Sequence, residues 1–195
     1  MLNFILIGAA GFIAPRHMKA IKETGNKIIA AMDPSDNVGI LDKYFPEAYF
    51  FLDFSRLDRF ISKFLSQGNK IDFIVVCTPN FLHDYYIRYS LKNKINVICE
   101  KPLVINLHNL LSLKRLEQSS KKKVNTILQL RHHPNVIRLY NDTKTSKSIH
   151  EIELTYITSR GQWYHVSWKG EEDKSGGILM NIGIHFFDLL IWIFG

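Results

Sequence analysis

Residues 2–7, Leu2-Asn3-Phe4-Ile5-Leu6-Ile7, form a short apolar run that ends in Gly8-Ala9-Ala10-Gly11-Phe12-Ile13-Ala14. Such a run suits a strand buried on both faces of a parallel sheet. The small residues at 8, 10, 11 and 14 let the backbone turn tightly and approach a ligand closely. From there to about residue 24, Phe12, Ile13, Met18 and Ile21 recur at helical spacing. The first N–H groups of that helix would point over the turn and favour an anion there. Strand, turn and helix in this order make the pattern of a dinucleotide site, with Ala10 where the usual fingerprint has its second glycine.

Small-residue turns also follow strands in proteins that bind no nucleotide, so the next element matters. Residues 27–32 read as a second strand ending at Asp33. An acid there can accept hydrogen bonds from both ribose hydroxyls and would repel a 2′-phosphate, which favours NAD over NADP. Taken alone, Asp33-Pro34-Ser35 could be a plain loop start. The turn and the acid together nominate Gly8, Ala10, Gly11, Phe12, Ile13 and Asp33 as cofactor contacts.

Further along, 55–66 has amphipathic helical spacing, 71–77 is another buried strand, and Thr78-Pro79-Asn80 stops it. Asn80 can cap a helix running to residue 91, which includes His83. A strand over 95–99 closes at Glu100-Lys101-Pro102, a helix covers 107–117, and a strand is expected over 124–130. Alternating strands and helices with short connections imply right-handed βαβ units and a parallel sheet, with ligands at the carboxyl ends of the strands. Gly8, Asp33, Thr78 and Lys101 all fall at such ends.

After His132 the pattern changes. A helix is expected over 134–144, a half-exposed strand over 149–158, a polar aromatic loop over 160–170, and an apolar helix over 178–194. Asn181, His185 and Asp188 are spaced to share one face of that last helix. No run of about eighteen uncharged apolar residues occurs, so no membrane span is expected. No basic segment followed by an apolar one marks a leader. Cys77 and Cys99 lie in strand-like apolar runs, as small core residues do, so a reducing, cytoplasmic setting is expected. The net charge of +7 comes from scattered lysines, and Lys121-Lys122-Lys123 suits a solvated turn. The surplus fits an acidic small substrate better than nucleic acid. No metal site is expected.

Lys101 and His185 are the two residues suited to take a hydroxyl proton as hydride leaves a carbon: histidine directly, lysine if its surroundings lower its pKa. Each could equally be ordinary, a surface lysine before a proline and a hydrogen-bonded core histidine.

Gly8-Ala9-Ala10-Gly11-Phe12-Ile13-Ala14, Thr78-Pro79-Asn80 with His83, Glu100-Lys101-Pro102, and Gly177 through Asp188 together resemble the glucose-fructose oxidoreductase / inositol dehydrogenase family. The resemblance implies an NAD-binding Rossmann domain over 1–122, and over 123–195 the beginning of an α+β open-sheet substrate domain. It implies NAD(P)-linked chemistry on sugar derivatives, with Lys101 and His185 catalytic. Further cofactor contacts are implied at Thr78, Asn80, His83, Glu100, Lys101 and Gln129. Asn181 departs from the aspartate usual four residues before the histidine.

A closer resemblance, to the bacterial UDP-N-acetyl-2-amino-2-deoxyglucuronate dehydrogenases of O-antigen (lipopolysaccharide) synthesis, rests on five stretches. They are residues 8–18, Gln129-Leu130-Arg131-His132-His133-Pro134, Arg160-Gly161-Gln162-Trp163-Tyr164, Ser167-Trp168-Lys169-Gly170 and Lys174-Ser175-Gly176-Gly177. It implies oxidation of a sugar C3 hydroxyl with NAD+, and substrate contacts from Lys101, Arg131, Arg160, Trp163, Tyr164, Lys169, Ser175, Asn181 and His185. Arginines and a lysine suit a diphosphate and a uronate, and the rings suit a sugar or uracil face, though Trp163 and Trp168 could be core. Family members continue beyond the position of Gly195 and form homo-oligomers, dimers or tetramers. The chain is therefore expected to be truncated, with a related NAD(P)-dependent sugar dehydrogenase or reductase of another substrate, or a non-catalytic nucleotide-binding remnant, as alternative readings.

Overall fold

The computed structural model describes residues 1–146 and 148–195 and falls into two units, Met1–Thr126 and Ile127–Gly195. In the first, strands β1 (Asn3–Ile7), β2 (Lys27–Met32), β3 (Tyr49–Phe51), β4 (Phe73–Val76), β5 (Asn96–Cys99) and β6 (Val124–Thr126) form one sheet in the order β3-β2-β1-β4-β5-β6. Every pairing is parallel. The order reverses between β1 and β4, and ligands of open α/β sheets bind at that switch point.

Helices α1 (Ala14–Glu23), α2 (Gly39–Tyr44), α3 (Phe54–Ser66), α4 (His83–Lys92) and α5 (Leu107–Ser120) cover both faces. On one face Ile5, Ile7, Ala30, Ile74, Val76 and Val97 pack with Leu57 and Ile61 of α3, Ile87 and Leu91 of α4 and Leu113 of α5. On the other, Phe4, Leu6, Ala31 and Val75 pack with Ala14, Met18 and Ile21 of α1 and Leu41 of α2. Successive β1 residues thus serve opposite cores, which is why its sequence is apolar without alternation.

The expected alternation of strands and helices is present, with three differences. Helix α2 lies in a stretch with no evident periodicity. Strand β6 stops at Thr126, and Gln129–His132 forms a 3-10 turn. Asn80 opens a 3-10 turn, Asn80–Leu82, and α4 begins only at His83.

The second unit contains α6 (Pro134–Lys144), a short helix α7 (Glu172–Ser175), a π-helical turn over Leu179–Gly183 and α8 (Ile184–Phe194). The strand expected over 149–158 does not form: those residues are exposed and pair with no strand among the described residues. Alternation specifies which face a strand would bury, but a strand also needs a partner for its backbone groups. The helical stretch Glu172–Phe194, 23 residues, is long and apolar enough to cross a membrane by length and composition, contrary to the expectation that no such span exists. A single acid such as Asp188 breaks an uncharged run without lowering the average much. Within the unit, however, Tyr140 of α6 stacks on Trp192 at 4.3 Å, and Arg131 pairs with Asp188. One face of α8 is therefore held by protein, while Phe187 and Ile191 remain exposed.

Leu57 is fully buried between α3 and the sheet, whereas Leu111 of α5 is exposed. Leu57→Ala is expected to lower unfolding stability by about 2–5 kcal/mol and Leu111→Ala by under about 0.5 kcal/mol, read by urea titration of the two variants.

Candidate active site

The register fixes the rim. Ile7 stands beside Met32 and Val76, and Val76 beside Cys99. The next residues, Gly8, Asp33, Cys77 and Glu100, therefore form one row across the switch point. Backbone bonds extend the sheet into that row: Gly8 N–H donates to Met32, Cys77 to Ile7 and Glu100 to Val76, at 2.8–3.0 Å.

Gly8 has φ +90°, and a Cβ there would lie 2.6–2.8 Å from the backbone of Cys77 and Thr78. Both the conformation and the space demand glycine. A Cβ on Gly11 would come within 3.1–3.2 Å of the Gly8 and Cys77 carbonyl oxygens. The turn is closed by Gly11 N–H donating to the Gly8 carbonyl. Asp33 holds it from the side, its Oδ2 accepting from Ala10 N–H at 3.0 Å and its Oδ1 from Ser35 N–H at 2.9 Å. Ile13 precedes α1 without capping it, no acid lies in the first turn, and Pro15 suits the helix start. The positive end of α1 is thus open to an anion. Phe12 is exposed beside the Arg16 guanidinium, 6.0 Å from the ring centre.

Beyond β4, the buried Thr78 Oγ1 has no hydrogen-bond partner among the described residues. Asn80 is buried. His83, completely buried, places Nδ1 2.7 Å from the Pro102 carbonyl oxygen and Nε2 2.9 Å from that of Thr78. Burial pushes its pKa below the ordinary histidine value, against the pull of the two carbonyls and Glu100. Beyond β5, Glu100 accepts from His17 Nε2 of α1 at 2.9 Å, and Lys101 is half-buried. The Cys77 and Cys99 thiols are pushed up by burial and by the Glu100 charge, and are inert core groups.

These features fit a dinucleotide. Gly8 and Gly11 form a cradle that a Cβ would fill, the α1 terminus suits a pyrophosphate, Asp33 suits ribose hydroxyls, and the Thr78 hydroxyl has no protein partner among the described residues.

The remaining candidates lie in the second unit. Gln129 is exposed. Arg131, expected to meet a substrate anion, makes a two-pronged pair with Asp188 and lies over Trp192. Arg160 lies over Tyr164 at 5.3 Å, and the Lys169 ammonium stands 5.3 Å from the Trp163 ring and 5.8 Å from Trp168. The latter residues make a cationic, aromatic surface with Trp163 exposed. A Cβ on Gly161 would meet the Trp163 ring at 2.8 Å. Ser175 is buried, and its hydroxyl accepts from Gly177 N–H. His185 lies in the first turn of α8, one turn before Asp188. Asn181 sits in the preceding π-helical turn.

Two pairings escaped sequence reasoning. His17 with Glu100, and Arg131 with Asp188, join residues 83 and 57 positions apart, and no local pattern signals either.

Residues 2–128 match the oxidoreductase family with NAD-binding Rossmann fold, and residues 147–195 match the C-terminal alpha/beta domain of the oxidoreductase family. The chain is similar to the WlbA (WbpB) dehydrogenase of Thermus thermophilus, solved with NAD and alpha-ketoglutarate. The identity is 45% and the TM-score 0.96, covering all of this chain and 63% of that one. The same enzyme has been solved with NAD and UDP-GlcNAcA. Among curated proteins, it is 27% identical to the inositol 2-dehydrogenase of Rhizobium meliloti, covering all of this chain and 55% of that protein. It is 25% identical to the 2,7-anhydro-N-acetylneuraminate hydratase of Escherichia coli, covering 50% of that protein. The chain thus spans about half the length of these curated relatives.

Gly8→Ala is expected to lower stability by about 1–3 kcal/mol or more and to abolish NAD+ binding, read by denaturant titration and calorimetry. Because the folded His83 pKa lies below its unfolded value, its contribution is full above about pH 6.5. It is lost as pH falls through the folded pKa. Stability should therefore drop on acidification below about pH 6.5, and His83→Gln should flatten that part of the profile.

Proposed function

The chain belongs to the oxidoreductase family whose N-terminal domain is an NAD-binding Rossmann fold, and on that premise we propose that it serves the NAD+-dependent oxidation of UDP-N-acetylglucosaminuronate at C3 to the 3-keto sugar. This is the family that its motifs resemble. The observation behind the reading is the row of strand ends Gly8, Asp33, Cys77 and Glu100 at the switch point, with Lys101 directly after it. The choice of sugar is supported by the likeness, at 45% identity, to a dehydrogenase solved with NAD and UDP-GlcNAcA.

NAD+, when bound, supplies the acceptor for the hydride leaving the sugar carbon. The cradle at Gly8 and Gly11 and the α1 terminus hold the pyrophosphate. Asp33 accepts from the ribose hydroxyls, and a carboxylate in that place repels a 2′-phosphate. The Thr78 hydroxyl donates to the cofactor. Lys101 donates a hydrogen bond to the C3 oxygen and favours its developing negative charge. His185 takes the hydroxyl proton as a general base. Arg160 and Lys169 meet the diphosphate and uronate, and Trp163 offers a ring for a sugar or uracil face. A ketone at C3 is the group a transaminase needs, which suits a place in the building of an amino sugar for lipopolysaccharide. We place this chemistry in the cytoplasm, where the Cys77 and Cys99 thiols stay reduced.

The test is NADH formation from NAD+ and UDP-N-acetylglucosaminuronate, with and without 2-oxoglutarate as a second acceptor. Lys101→Ala and His185→Asn are each expected to lower turnover by about a hundredfold or more. Full turnover in either variant would remove that residue from the mechanism, and NAD+ binding without turnover would point to a different sugar.

A further inference from the structure

Lys101 is bracketed by two histidines that belong to different helices, His17 half-buried and His83 fully buried. On its N-terminal side, the Glu100 carboxylate accepts from His17 Nε2 at 2.9 Å, with both side chains only 11–12% exposed. On its C-terminal side, the Pro102 carbonyl oxygen lies 2.7 Å from His83 Nδ1. The backbone enters this bracket already tied down, since Glu100 N–H donates to Val76 at the end of β4.

The two anchors differ in what they connect. His83 joins the Pro102 carbonyl to that of Thr78, which ties the segment after β5 to the segment after β4. His17 lies in α1, the helix whose first turn is the proposed pyrophosphate site. The sheet end, the helix that meets the cofactor and the residue preceding Lys101 are therefore joined by one short contact. A carboxylate is an acceptor only, so His17 must carry a proton on Nε2 and donate it to Glu100.

We propose that His17 is a positioning residue: through Glu100 it fixes Lys101 relative to the helix that binds the cofactor, with His83 as the second anchor. Displacing a catalytic group by about 1 Å costs up to about a hundredfold in rate, so a single hydrogen bond to the preceding residue is enough to matter. His17 touches neither substrate nor cofactor in this role. The rate consequence rests on the dehydrogenase reading above, whereas the placement of Lys101 does not.

The test compares His17→Leu with His17→Gln. Leucine fills the space without a donor, and glutamine carries an N–H that can reach the Glu100 carboxylate. Glu100→Ala removes the acceptor instead, which keeps the test open should His17→Leu not fold. Lysines of the full chain are dimethylated with 13C-formaldehyde, and the Lys101 signal is assigned through Lys101→Arg. His17→Leu and Glu100→Ala should both displace or broaden the Lys101 signal, while His17→Gln keeps it near the wild-type position. With the sugar substrate, His17→Leu should lower kcat by about tenfold or more with KM for NAD+ little changed, and His17→Gln should recover most of the loss. An unmoved Lys101 signal in His17→Leu, or glutamine no better than leucine, overturns the proposal. Absence of turnover in the wild-type chain bears on the dehydrogenase reading alone, because the Lys101 signal still decides the positioning.

Discussion

Everything in the first unit depends on how closely β1 and β4 approach where the strand order reverses. A single methyl group on Gly8 would stand 2.6–2.8 Å from the backbone of Cys77 and Thr78, so the two strand ends meet at backbone distance. That contact sets the depth of the turn. The in-register parallel pairing then carries the alignment outward, so that Asp33 from β2 and Glu100 from β5 arrive in the same row. Asp33 returns the constraint by accepting from Ala10 N–H. The Asp33 carboxylate thus does structural work in the turn before any ribose is present, and both of its oxygens retain lone pairs for further donors.

The site has layers of different chemistry. Nearest the sheet lie inert groups, the Cys77 and Cys99 thiols and the apolar ends of the strands. Above them sits a polar layer, half-buried His17 and fully buried His83 with the Thr78 and Pro102 carbonyls, whose hydrogen bonds are strengthened by the low dielectric around them. The groups proposed to meet ligands, Lys101 and the open end of α1, are outermost. Such an order keeps solvent from loosening the middle layer, on which the placement of the outer one depends.

Much of this was legible in the sequence because it rests on local chemistry. Apolar runs of four to seven residues ending in Gly8, Asp33, Thr78 and Glu100 specify buried parallel strands, and parallel strands put their carboxyl ends on one side. The polar middle layer was not legible. His17 and Glu100 are 83 residues apart, and His83 reads as one more residue of a helix that its motif had suggested for cofactor contact. In the second unit, alternation at Ile152, Leu154 and Tyr156 suggested a strand that does not form, because pairing depends on a partner that no single segment encodes. Arg131 read as an anion ligand because a charge reveals its sign in a sequence but not its partner, here Asp188. Helix α2 was missed for the simplest reason: six residues are too few to show a period.

The central claim is that the four strand ends form one dinucleotide site. Hydrogen–deuterium exchange of the chain with and without NAD+ tests it most directly. Added NAD+ should slow exchange together at residues 8–16, around Asp33, at residues 78–80 and at residues 100–101, leaving α3 and the outer face of α5 unchanged. NADP+ at the same concentration should do markedly less. Protection confined to one of these segments, protection elsewhere in the unit, or none at all would contradict the account.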